Sequence, residues 1–91
     1  MTELPYDKLT IYEVEEFYEF LLKEVKNAES KLELDFTSIE KIDMVVIQLL
    51  LSLQKTCNQN SINLILKNFS SQLMDTLKSS GCHKVLEVKN D

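Results

Sequence analysis

The sequence holds one histidine and two cysteines, and two of these three residues, Cys82 and His83, are neighbours. A thiolate nucleophile needs its base aimed at the sulfur and a third group to orient that base, and adjacency in sequence guarantees neither. The pair therefore reads as a small thiol beside a surface histidine. The carboxylates Asp35, Glu40 and Asp43 gather where a strand should end and a helix begin. A hard cation wants about six to eight oxygens around it, and no EF-hand spacing supplies them. Asp43 is instead expected to cap the helix, its carboxylate accepting amides that lack helical partners. Hydroxyls occur at Thr37, Ser38, Ser70, Ser71, Ser79 and Ser80, but no G-x-S-x-G elbow and no suitably spaced histidine accompany them. Ser70 or Ser71 is the expected cap of a later helix. With Gly81 the only glycine, phosphate loops and dinucleotide fingerprints are excluded as motifs. No nucleotide, metal or organic cofactor is expected.

Ninety-one residues suit one domain spanning 1–91, and 44% hydrophobic residues with a single glycine and a single proline suit a compact globule. Fifteen acidic against ten basic side chains give a net charge of -5, which leaves no positive stripe for a nucleic acid backbone. The apolar run Met44-Val45-Val46-Ile47 breaks at Gln48, far short of the ~20 residues that cross a bilayer. The start, MTELPYDK, has no apolar signal segment. A cytoplasmic protein with Cys57 and Cys82 as free thiols is the expectation.

The elements that must position these groups follow from periodicity. KLTIY (Lys8 to Tyr12) alternates and predicts a short strand with Leu9 and Ile11 on one side. From Glu13 to about Lys26, Val14, Phe17, Leu21 and Val25 form a helical stripe widened by Tyr18 and Leu22. Acids early and lysines late complement the helix dipole. KLELDFT predicts a strand with Leu32, Leu34 and Phe36 on one face, and Asp43 precedes a long helix ending near Asn58. INLILK predicts a central strand, a helix carries Leu73, Met74 and Leu77, Gly81 ends it, and KVLEV (Lys84 to Val88) predicts a last strand. Whether residues 1–4 add an edge strand stays open. Repeated crossovers favour an α/β layer with parallel neighbouring strands joined by right-handed crossovers, in a mixed sheet of four or five strands with helices predominantly on one side. Leu34, Phe36, Leu49, Leu50, Leu53, Leu64 and Leu66 are the expected central core.

The order of elements and the segment LELDFTSIEKIDMVVIQLLLSL (Leu32 to Leu53) resemble a STAS domain, the module of anti-sigma factor antagonists and of the small soluble component of a bacterial phospholipid-transport ABC system. LTIYEVEEFYEFL and NLILKNFSSQLMDTLKSSGC extend the resemblance from about Leu9 to Val88, with little chain left for the usual final helix. The family turn reads Asp-Ser-Ser-Gly or Asp-Thr-Ala-Gly. Asp43 falls on its Asp, Met44 on the Ser or Thr that a kinase phosphorylates, Val45 on the next small residue and Val46 on the Gly. Met44 has no hydroxyl, so the resemblance implies a STAS module without the usual phospho-switch.

What the resemblance implies is a non-enzymatic adaptor that docks on a kinase-like protein, an ATPase or another cytoplasmic protein. Its expected contact residues are Thr37, Ser38, Glu40, Lys41, Asp43, Met44, Val45 and Gln48. The alternatives are an accessory subunit on the ATPase of a lipid-transport complex and a phosphoacceptor using Thr37 or Ser38. Self-association is also open.

Overall fold

The computed structural model describes residues 2–90. In chain order the elements are β1 (Thr2–Glu3), β2 (Lys8–Leu9), α1 (Val14–Asn27), β3 (Lys31–Asp35), β4 (Lys41–Ile42), α2 (Met44–Gln59), β5 (Asn63–Lys67), α3 (Ser71–Ser79), a 3-10 turn at Cys82–Lys84, and β6 (Val88–Lys89). β3 and β5 form the centre of a four-stranded sheet ordered β1-β3-β5-β6, with Leu32 opposite Leu64 and Leu34 opposite Leu66. Paired residues of a parallel ladder share a face, so these four leucines make one apolar surface while Glu33, Ile65 and Lys67 belong to the other. β2 and β4 form a separate two-stranded ribbon.

Every described pairing is parallel, where a mixed sheet was expected. The reason is connectivity: no two paired strands are joined by a hairpin, and a parallel partner needs a crossover. The four strands in the main sheet agree with the expected count. Leu32, Leu34, Leu64 and Leu66 share one core cluster with Phe17 and Leu21 of α1, Val46, Leu50 and Leu53 of α2, and Leu73 and Leu77 of α3. All three helices thus cover the same face. On the opposite face Glu33 bridges to Lys31 at 3.6 Å and to Lys67 at 3.7 Å, and Ile65 is buried outside the main cluster.

Six of the seven expected core residues are buried; Leu49 is only partly so, because it lies at the border of α2 that meets α1. Two strands are shorter than the alternation predicted. KLTIY gives a strand only at Lys8–Leu9 and then turns, and KVLEV gives a 3-10 turn followed by Val88–Lys89. α3 begins on Ser70, whose Oγ accepts from the Leu73 amide at 3.2 Å, and it ends before Gly81. Gly81 takes φ +77°, a left-handed value that glycine adopts without a Cβ clash.

Candidate functional site

The β2–β4 ribbon carries the start of α2 against the turn that precedes α1. Leu9 pairs with Ile42, and the Asp43 amide donates to the Leu9 carbonyl at 2.9 Å. Asp43 occupies the N-cap position in extended conformation, and its carbonyl accepts from Val46 at 2.9 Å. Its carboxylate makes no cap hydrogen bond, contrary to expectation. Oδ2 accepts instead from the Ile11 amide at 3.2 Å, so the side chain leaves its own helix and holds the neighbouring turn.

That turn is built by Thr10 and Glu13. Glu13 Oε1 accepts from the Thr10 amide at 2.8 Å and from its hydroxyl at 2.7 Å, and Thr10 Oγ1 accepts from the Tyr12 amide at 3.2 Å. These bonds, with the Glu13 amide donating to the Thr10 carbonyl at 3.1 Å, close a tight turn that ends at Glu13, the N-cap of α1. The bonds from the Thr10 hydroxyl and amide hold the Glu13 carboxyl below its ordinary range. They also end the strand after Leu9 and leave Ile11 61% and Tyr12 91% exposed, where Ile11 had been expected to share one side of a strand with Leu9, which is buried. Sequence reasoning missed both as surface residues. The signal that would have found them is the spacing of Thr10 and Glu13, which competes with the strand alternation.

At the helix start, Met44 is 40% exposed, Val45 is partly buried against the core, Val46 and Ile47 are fully enclosed, and Gln48 is exposed. The first turn of the helix therefore presents Met44 outward while Val46 and Ile47 of the same turn are locked inside. Asp43 links this Met44 to the exposed Ile11 through one hydrogen bond. Exposed acids surround the junction: Glu15 and Glu16 in the first turn of α1, and Asp7 and Glu40, whose backbones are joined by an amide-to-carbonyl bond of 2.7 Å. Lys8 and Lys41, paired across the ribbon, are the nearby cations in the strands.

The loop before β4 divides into two parts. Thr37 and Ser38 are exposed residues whose hydroxyls are already engaged. Thr37 Oγ1 donates to Asp35 Oδ1 at 2.5 Å, and Ser38 Oγ donates to the carbonyls of Leu4 at 3.1 Å and Tyr6 at 2.8 Å. They line a cavity of about 240 Å³ with Glu3, Leu4 and Asp35. Glu40 and Lys41 line a different cavity beside Gln72, Leu73 and Thr76 of α3. Of the eight expected contact residues, Asp43 bonds to the Ile11 turn, Met44 and Gln48 are exposed at the start of α2 with Val45 partly buried between them, Glu40 and Lys41 flank α3, and Thr37 and Ser38 sit by the end of β1.

Asp35 is 8% exposed. The Thr37 hydroxyl, with Asn68 Nδ2 at 3.0 Å and the Thr37 amide at 3.0 Å, holds its carboxyl below the ordinary range against the opposing effect of burial. Asp35 and Asp43 are each engaged by their own partners, and among the described residues no group of three or more His, Cys, Asp or Glu is placed to hold a metal ion. Cys82 Sγ points to the Ser80 carbonyl at 3.7 Å, and the buried Cys57 has its thiol pushed up by desolvation, away from the reactive thiolate. Both cysteines are free. Among the described residues no helix is long and apolar enough to cross a membrane.

Residues 7–87 match the family model described as "Mlab, STAS domain". Comparison with curated proteins finds no match. The fold is similar to the crystal structure of a protein from Thermotoga maritima titled as a candidate anti-sigma factor antagonist, with a TM-score of 0.82 and 16% identity over 98% of this chain and 77% of that one.

Proposed function

The chain belongs to the STAS domain family, and from that premise we propose that it is a non-catalytic docking module whose contact surface is the start of α2 with the turn before α1. The observation that carries this reading is the exposed Met44, standing where the family pattern has its phosphorylatable hydroxyl and tied through Asp43 to the exposed Ile11. A phosphoryl group at that position would bring about two negative charges to the helix start. A thioether brings adaptable apolar contact area and no switch. The docking it supports is constitutive, and the partner is a cytoplasmic regulatory protein of kinase-like or ATPase type.

The test is Met44→Asp. A carboxylate in the first helical turn interacts favourably with the positive end of the helix, while in an apolar interface it must shed water without a prepared partner. The isolated variant is expected to melt within a few degrees of the parent, and its affinity for the partner recovered by affinity isolation is expected to fall by about tenfold or more. Unchanged affinity with an intact fold would move the docking surface elsewhere.

The family also contains lipid-transport members, and an accessory subunit seated on a transport ATPase would use the same surface. The identity of the recovered partner separates the two: a transport ATPase or a signalling protein. A phosphoacceptor role for Thr37 or Ser38 is less favoured, since both hydroxyls donate within the chain and Ser38 holds two carbonyls of the N-terminal segment. Reproducible high phosphate occupancy at either residue, by intact mass and peptide mapping, would reverse that preference.

A further inference from the structure

We propose that α1 carries a self-complementary strip through which two copies of this chain pair antiparallel about a two-fold axis. Glu15, Tyr18, Leu22 and Lys26 follow one another at spacings of three and four, so they fall within an arc of roughly 80° on one side of the helix. Tyr18 and Leu22, 48% and 40% exposed, are two of the large apolar side chains that the fold leaves in water. They border a shallow concavity of about 80 Å³ between α1 and α2, which Leu49, Leu53 and Thr56 also line. Neither Glu15 nor Lys26 forms an ion pair with another described residue.

The arrangement inverts about its own midpoint. Tyr18 and Leu22 are equidistant from the level of Phe20, and Glu15 and Lys26 are centred within half a residue of the same level. Laying a second α1 antiparallel across this point sets Glu15 against the partner's Lys26, Tyr18 against the partner's Leu22, and both pairs again by symmetry. A parallel arrangement would instead oppose like charges. Acids early and lysines late also suit the helix dipole. The dipole gives no reason for two large apolar side chains to stand exposed between them, and an unrelated partner gives no reason for the charge to reverse about their centre. A second copy accounts for both.

A strip of one helix is smaller than the ~800 Å² per partner of a standard stable interface, so the association is weak, with a dissociation constant on the order of 100 µM. The strip lies along α1 and does not include Met44, so this inference does not rest on the docking proposal.

Sedimentation equilibrium at low salt, from about 10 µM to about 1 mM around that dissociation constant, tests it. The weight-average mass is expected to rise from 10.6 kDa toward twice that value. Glu15→Lys alone and Lys26→Glu alone each set like charges together and should weaken association by about tenfold or more. An equimolar mixture of the two variants restores opposite charges at both contacts and should associate within about threefold of the parent. Tyr18→Ser should weaken it without a charge change, and Met44→Asp should leave it unaltered. All are exposed positions, and circular dichroism checks that each variant is folded; Glu15→Gln and Lys26→Gln serve if a reversal is not. A parent that stays at 10.6 kDa throughout, association indifferent to Glu15→Lys or Tyr18→Ser, or a mixture no better than its components overturns the proposal.

Discussion

The four-stranded sheet and the β2–β4 ribbon are both parallel and both lead into an aspartate, yet the two aspartates end in opposite circumstances. At the end of β3, Asp35 is buried and its carboxylate accepts from Thr37 twice and from Asn68 across on the loop after β5. Just after β4, Asp43 is half-buried and its carboxylate makes one bond of 3.2 Å to the backbone of Ile11. The central sheet pair β3–β5 runs over five residues, the ribbon over two. The sheet satisfies itself. The ribbon leaves polar capacity and apolar surface beside a helix end, and that is where a partner has something to gain. On the docking proposal, stability and docking are divided between the two regions, and that division can be broken experimentally.

The largest effect belongs to the core that the sheet shares with α2. Leu50, fully enclosed, should cost about 2–5 kcal/mol when replaced by Ala, measured by urea denaturation. A near-zero change would deny that α2 is anchored on the sheet side. Next is the contrast itself: Asp35→Ala removes the bonds that this buried carboxylate accepts from Thr37 and Asn68 and should cost about 1–3 kcal/mol, whereas Asp43→Ala should cost about 0.5–1 kcal/mol. Equal losses would abolish the distinction between the two aspartates. Smaller still is Ile11→Ser, which should stay within about 0.5 kcal/mol because the side chain stands mostly in water.

The pH dependence sharpens the same comparison. The Asp35 carboxyl is depressed in the folded state, so the stability it contributes is fully present above its unfolded value of about 3.9 and is lost as pH falls through its lower folded value. Asp35→Asn should flatten the acid limb of a denaturation midpoint against pH profile, and an acid limb unchanged by that substitution would deny the carboxylate its stabilising role. A thiol reagent gives the gentlest probe: Cys82, half-buried near the chain surface, should react in the native state well before the enclosed Cys57.

How much of this the sequence disclosed depends on which force ruled each segment. Leu32, Leu34, Phe36, Leu64 and Leu66 alternate because a buried sheet face demands it, and the three helices declare their stripes for the same reason. Ser70 and Gly81 do what local backbone chemistry predicts of them. The reading failed where a short polar interaction overruled periodicity. In Lys8 to Tyr12 the Thr10–Glu13 hydrogen bonds ended a strand that alternation would have continued. At Asp43 position predicted the cap correctly and the carboxylate's partner wrongly, because Ile11 lies 32 residues away and only the folded ribbon brings it near. Of the contact residues inferred from sequence, Met44 and Gln48 reach the surface beside that turn, while Thr37 and Ser38 face another corner because Ser38 is drawn to the carbonyls of Leu4 and Tyr6.

The all-parallel pairing also governs how the chain reaches this state. Leu32 meets Leu64, 32 positions on, and even the shortest-range ladder joins Leu66 to Val88, 22 positions on. No strand pair can zip outward from a tight turn, so long loops must close before any ladder forms. Local helices can flicker in the unfolded chain, but pairing β3 with β5 requires the chain to close across the whole of α2. A domain of this size would accordingly fold in milliseconds or longer, where a helical bundle takes microseconds to milliseconds. Until β3 and β5 meet, the leucines they carry stand open to neighbouring molecules, making the nascent chain more exposed to aggregation than its compact end state suggests.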